Sequence, residues 1–398
     1  MTVDPLREKV LAPISDTELE RRWKAVRQVM DDRGIDYIVA QNNNDYLGGY
    51  VKWFTDFPAV HAYPAAVVFA RDGEMTTITH GSSDPTKAGP APWLARGATK
   101  RISTPIMLSL NYTCDYDGRK VVEELAPKKG CVIGLVNEGG MTAAFSHTIR
   151  THLTSAHFVD VTEEIDWLKA IKSPEEIERI KYSAYIHDVS WEACLAAIAP
   201  GVHEFELAAE AKYAARKLGT EQVFVLIGSA PKGKAFPYNS IHAMNRKLEK
   251  GDQVGVLIEL NDAAGYWCHI HRIACVGDVS DELAKAFQDA KDAQDYSLGL
   301  VKPGADPVEI LNANNQFLRD RGYPEETRIY AHGQGYDLVE RPSFQPGETM
   351  KIAAGMNIAV HPAAATPQAT ALLCDNYIVT ETGVGESLYR TPREIFVV

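Results

Sequence analysis

The sequence lacks paired or clustered cysteines. Its 398 residues include six cysteines, and these form neither a CxxC pair nor a tight group. In a chain of this length, scattered cysteines indicate reduced thiols and therefore predict a cytoplasmic protein.

Long apolar runs and an excess of basic charge are also missing. No stretch approaches 18 consecutive apolar residues, and no apolar run of signal-peptide type occurs near residue 1, so we expect neither a membrane span nor a signal peptide. Lys and Arg total 41 against 53 Asp and Glu, which gives a net charge of −12. Nucleic acid and anionic lipid both attract basic surfaces, so the predicted partner is a small-molecule substrate.

The composition is that of a globular protein, 45% hydrophobic and 24% charged, and the length predicts two domains. Residues 1–167 alternate helix and strand signals, as in the strand pair 65–70 and 75–80 with its Asp-Gly turn. At 173–176, Ser-Pro-Glu-Glu is a capping box with proline at the first helical position, which opens a long helix. We therefore predict domains at 1–167 and 168–398.

The second domain contains an internal repeat. Segments 200–219 and 303–322 both begin with Pro-Gly, carry Glu 6 residues after the Pro, and end with Gly 19 residues after it. Each copy follows a predicted long helix and precedes strands. The pattern favours a duplicated unit with a pseudo-twofold axis, and ligand sites often lie where such halves meet.

Candidate chemistry concentrates between 242 and 361. On the predicted strand 265–272, alternation places Trp267, His269 and His271 on one face, which is either a solvated face or the floor of a pocket. Glu259 lies in an apolar run, where a carboxylate either faces solvent on an edge strand or is buried for a purpose. His332 precedes two glycines, and His361 ends a strand.

These residues carry a resemblance to a known family. From 171 to 383, motifs that include GYWCHIHR, AHGQGYDLVERP, AAGMNIAVHP and CDNYIVTETG resemble the creatinase, aminopeptidase P and prolidase family. The segment GIDYIVAQNNNDYLGGY more weakly resembles that family's N-terminal domain. The resemblance implies an α/β (α+β) fold, with a creatinase-like N-terminal domain followed by a C-terminal pita-bread domain.

The family's metallopeptidases hold two metals, and the resemblance implies where their ligands fall here. The two Asp, one His and two Glu ligands fall, in order, on Leu257, His269, His332, His361 and Cys374. Because Leu257 has no donor atom, we expect that the bridging two-metal site does not form.

The preferred interpretation is a metal-independent hydrolase of a C–N bond in a small polar metabolite, as in creatinase, with no cofactor. A neutral imidazole can take a proton from water and return it to the leaving nitrogen. The catalytic residues under this interpretation are Glu259, His332 and His361, together with His242, which the resemblance to creatinase implies. The predicted substrate contacts are the pocket-floor residues His269, His271 and Trp267, with Tyr336, Glu340 and Trp53.

Two alternatives stay open. One divalent ion, Zn or Fe, could be held by His269, His332, His361 and Cys374 in a hydrolase of Xaa-Pro peptidase type or a lyase of dimethylsulfoniopropionate-lyase type. A non-catalytic binding protein is the second alternative. The family also implies a homodimer, in which the segment 50–63, with Trp53, closes the partner's pocket or belongs to the local core.

Overall fold

The computed structural model describes residues 13–42, 47, 49–57, 63–81, 96–105, 115–237 and 244–398. The chain divides into two compact units, Met1–Lys169 and Ala170–Val398. Compactness concerns contacts within the chain, whereas a domain folds independently, so the domain boundary at 167/168 stays a prediction.

The first unit is built on a six-stranded mixed sheet of order β4-β3-β2-β1-β5-β6. Its strands are β1 Tyr37–Asn42, β2 Ala65–Ala70, β3 Met75–His80, β4 Ala98–Thr104, β5 Val132–Val136 and β6 His157–Asp160. Its helices are α1 Asp16–Arg33, α2 Tyr50–Thr55, α3 Tyr116–Leu125, α4 Ala143–His152 and α5 Thr162–Ala170, the last of which ends at the first residue of the second unit. Strands β2 and β3 match the predicted pair, because the apolar runs define the two strands and the Asp-Gly turn defines the connection between them.

The second unit contains two helix pairs, the first at its start and the second after the strand Trp267–Cys275. They are α6 Pro174–Ala197 with α7 Glu204–Lys217, and α8 Asp281–Leu300 with α9 Pro307–Asp320. At the start of α6, the Ser173 hydroxyl accepts from the Glu176 amide and the Glu176 carboxylate accepts from the Ser173 amide, so the predicted capping box forms. The turns carry Gly201 and Gly304 at φ 93° and 84°, values that favour glycine. The repeat seen in the sequence is thus a repeated helix–turn–helix.

Three sheets complete the second unit, of order β17-β9-β8-β7, β11-β10-β12-β15-β16 and β13-β14. Their strands are β7 Val223–Pro231, β8 Asp252–Asn261, β9 Trp267–Cys275, β10 Ala331–Gly333, β11 Glu340–Ser343, β12 Asn357–Val360, β13 Ala363–Ala365, β14 Thr370–Leu372, β15 Asp375–Val379, β16 Val384–Ser387 and β17 Ile395–Val397. The bridge between His271 and Cys374 brings β9 beside the start of β15.

The faces of the β7–β8–β9 sheet are distinguished by what they contact. The Cys268 thiol reaches the Ile180 carbonyl of α6, so even-numbered β9 side chains face that helix. Odd-numbered side chains, including His269, therefore face away from α6. His332 on β10 and His361 directly after β12 lie on neighbouring strands, since β10 pairs antiparallel with β12.

Within the described residues, every helix is too short or too polar to cross a bilayer. The cytoplasmic location stays a prediction.

Candidate metal centre

Three histidines converge in the second unit. One ring nitrogen from each of His269, His332 and His361 lies within 4.8 Å of the corresponding atoms of the other two. Their ring centroids are 5.0 to 5.3 Å apart, and the rings meet edge to face. Three strands separated widely in sequence thus bring their imidazoles to one point, an arrangement suited to a metal ion.

His269 is oriented from both sides. Its Nδ1 lies 3.3 Å from Glu259 Oε1, and its backbone amide donates to Asn376 Oδ1 at 3.0 Å. Donation from Nδ1 to the carboxylate leaves the lone pair on Nε2. That Nε2 is buried and has no hydrogen-bond partner among the described residues.

His332 and His361 are held as neutral rings. His332 Nδ1 lies 2.9 Å from the Gly333 carbonyl, which can only accept, so this nitrogen carries the proton and Nε2 carries the lone pair. Burial, followed by the neighbouring His269, lowers the pKa of His332 to about 3. Burial likewise lowers the pKa of His361 well below its usual value, and His361 Nε2 is buried without a partner. Neutral imidazole is the form that binds metals.

These residues fit a metal ion. Two buried ring nitrogens without partners, on His269 and His361, would each cost free energy if nothing bound them. A bound cation would satisfy both. The contacts at Nδ1 of His269 and His332, to a carboxylate and to a carbonyl, are those that commonly orient histidine ligands.

Cys374 does not join this group. Its Sγ lies 3.4 Å from the His269 backbone oxygen, to which the thiol donates. Burial raises the pKa of this thiol well above its usual value. Among the described residues the group with metal-binding geometry comprises the three histidines, and Cys374 as a fourth ligand stays a prediction.

The register of the β8–β9 hairpin shows which residue lies opposite His269. Glu259 pairs with His269, and Leu257 pairs with His271. Glu259 thus lies opposite His269, because strand pairing decides which residues face each other. Leu257 has no donor atom, and the expectation that the bridging two-metal site does not form stays a prediction.

Other predicted site residues have structural partners. His271 is fully buried, its Nδ1 lies 2.6 Å from the Leu372 carbonyl, and burial lowers its pKa to about 3. Tyr336 is buried and stacks on Tyr266, with centroids 4.5 Å apart. Glu340 forms an ion pair with Lys172 at 2.6 Å. These contacts explain the three side chains as packing and charge pairing, and their roles as substrate contacts stay predictions.

Three further predictions differ in outcome. His242 lies outside the described residues. Trp267 is fully buried on the same strand face as His269. Trp53 is 1% exposed in the first unit, where it contacts Phe54 edge to face and lies against the Arg22 guanidinium. Trp53 therefore belongs to the local core, which was one of the two interpretations given for segment 50–63.

Sequence reasoning missed a buried amide network beneath the histidines. Asn376 Oδ1 accepts from the His269 amide and from the Tyr389 hydroxyl, the latter at 2.8 Å. Its Nδ2 donates to Gln334 Oε1 at 2.8 Å and to Asn357 Oδ1 at 3.1 Å. One side chain thus connects the strand of His269, the segment after His332 and the strand before His361. The available signal was an asparagine within each of two apolar strands, at 357 and 376.

Two repeated helix pairs, each followed by strands, with converging imidazoles on the strands, define a pita-bread protein with a candidate metal centre. The chain belongs to metallopeptidase family M24, whose model matches residues 178–381, about half of its length. The predicted fold class and the predicted family are both confirmed.

Similar sequences include both peptidases and a creatinase. The chain is 25% identical to an Xaa-Pro dipeptidase of Pyrococcus furiosus, over 65% of this chain and 74% of that protein. It is 26% identical to a creatinase of a Bacillus species, over 83% of this chain and 78% of that protein.

Solved structures show the same fold. An X-Pro aminopeptidase from Thermotoga maritima matches with a TM-score of 0.79 at 20% identity, covering 94% of this chain and 99% of that one. An Xaa-Pro dipeptidase from Bacillus anthracis matches with a TM-score of 0.76 at 22% identity, covering 96% and 100%.

Proposed function

We propose that this protein hydrolyses a C–N bond in a small molecule and uses one divalent metal ion held by His269, His332 and His361. The observation that carries this proposal is the convergence of three imidazoles, two of which have buried Nε2 atoms without a partner in the part of the chain that the structure describes. Membership of metallopeptidase family M24 supports the proposal. The histidine cluster and the family membership both weaken the sequence-based expectation of no cofactor.

The residues around the centre have complementary roles. A divalent ion supplies Lewis-acid polarisation of the group that is attacked. Glu259, with its side chain 17% exposed, is open to solvent and can accept a proton from an attacking water. The same carboxylate orients His269 through Nδ1. His332 and His361 remain neutral and offer lone pairs.

A second candidate is a metal-independent hydrolase. It rests on the 3.3 Å contact between Glu259 and His269, a carboxylate–imidazole pair that can divide acid and base roles, and on similarity to a creatinase. Under this candidate the cluster binds the substrate rather than an ion.

Metal analysis separates the two candidates. The protein is purified without a polyhistidine tag, and its metal content is measured before and after chelation, beside turnover on dipeptides, simple amides and ureido compounds. We expect about one ion per chain, loss of turnover on chelation, and loss of the ion in His361→Ala. The matched control is His157→Ala, which changes an exposed histidine of β6 in the other unit.

Turnover that survives chelation in an ion-free chain would overturn the metal proposal and favour the second candidate. A lyase is distinguished by products without added water. Absence of turnover across the panel would favour the non-catalytic alternative. The homodimer stays a prediction, tested by sedimentation at micromolar concentration.

A further inference from the structure

The face of the β7–β8–β9 sheet that carries His269 also presents apolar side chains. β7 pairs with β8 so that Phe224 lies opposite Glu259 and Leu226 opposite Leu257. Cross-strand partners point to the same side of a sheet, with Cβ atoms about 5 Å apart. Phe224, Leu226 and Leu257 therefore lie on the same face as Glu259.

Burial alternates along both strands. The residues between them, Val225, Ile227, Val256 and Ile258, are fully buried and lie on the face that contacts α6. Phe224, Leu226, Leu257 and Glu259 are only partly buried. Within 224–227 and 256–259, the partly exposed side chains thus belong to the face of the candidate centre.

This exposure has a consequence for the ligand. A wholly polar substrate would leave the two leucines against water, whereas an apolar group would gain about 0.8 kcal/mol for each buried methylene, or about fourfold in affinity. Residues two apart on a strand are separated by about 6.6 Å, which places Leu257 one side-chain position from Glu259. An apolar group bound there lies next to a bond presented to Glu259 and His269.

We infer that Leu226 and Leu257, with Phe224 beside them, form an apolar subsite for an aliphatic or aromatic group adjacent to the C–N bond. This inference rests on the proposed function for the position of that bond. It narrows the substrate to an amide with a hydrophobic substituent, in place of the compact polar metabolite that the sequence suggested.

The test measures binding, so that it does not depend on turnover or on metal. The probes are linear primary amides from acetamide to hexanamide, titrated against the full chain by ligand-observed NMR. We expect the affinity to rise about fourfold with each added methylene. Leu226→Thr and Leu257→Thr should each flatten this dependence, and threonine retains the strand preference of the site.

Tyr213→Ser is the matched control, because Tyr213 is an exposed apolar residue of α7, and it should leave the chain-length dependence unchanged. A flat dependence in the wild type, no detectable hexanamide binding, or an unaltered slope in both threonine variants would overturn the subsite. An intact slope without hydrolysis of any amide would instead overturn the proposed function and leave the subsite standing.

Discussion

Replacing Asn376 with alanine should loosen the candidate metal centre without touching any of its histidines. The Asn376 amide makes four hydrogen bonds with buried groups, namely the His269 amide, the Tyr389 hydroxyl, Gln334 and Asn357. Three of these partners, the His269 amide, Gln334 and Asn357, come from the strands and adjoining segments that carry the three imidazoles. Asn376→Ala removes all four bonds together.

The magnitude follows from the number of bonds. At about 1 kcal/mol each, the free energy of unfolding should fall by about 4 kcal/mol. Such a loss is within the typical stability of about 5–15 kcal/mol, so we expect a folded but weakened protein. For a unit of this size, the loss lowers Tm by roughly 8–16 °C. Loss of an orienting contact also typically weakens metal binding by about 10- to 100-fold.

The assay combines thermal unfolding with zinc competition against a chromophoric chelator. The control is Glu204→Ala, which removes a buried carboxylate that accepts from the Ser229 hydroxyl at 2.6 Å near the opposite end of β7. We expect this control to lower Tm with zinc affinity unchanged. If Asn376→Ala binds zinc as tightly as the wild type, the network does not position the ligands and the reasoning is refuted.

Three other substitutions test the site. Glu259→Gln should weaken metal binding by about 10- to 100-fold in the same competition, because the carboxylate that orients His269 is lost. It should also lower kcat by about 10²–10⁴, because the proton acceptor is lost. Wild-type values of both quantities would contradict the role assigned to Glu259. Cys374→Ser should change metal content and kcat little, since the Cys374 thiol contacts a backbone oxygen. A severe loss of metal would identify Cys374 as a ligand. Glu340→Gln should lower the free energy of unfolding, measured in urea, by about 3–5 kcal/mol, because buried Lys172 loses the carboxylate of this ion pair. An unchanged urea midpoint would show that the ion pair does not contribute to stability.

Local signals in the sequence were sufficient for much of the fold. Each of these signals acts within a few residues, so it can be recognised from the sequence. They are the capping box at 173–176, the glycines at 201 and 304 in the turns between paired helices, and the apolar runs of β2 and β3. The helix–turn–helix repeat was found for the same reason. Candidate histidines were also found, because imidazoles next to glycine-rich and apolar segments are unusual.

What the sequence by itself determined, therefore, was the set of elements and the residue types available for chemistry. Tertiary structure decided which of them meet. Strand register placed Glu259 opposite His269 and Leu257 opposite His271. Pairing of β10 with β12 brought His332 close to His361, and the thiol of Cys374 contacts a backbone oxygen. Contacts of this kind join residues about 10 to 100 positions apart, and no local propensity encodes them, because they depend on how whole strands align.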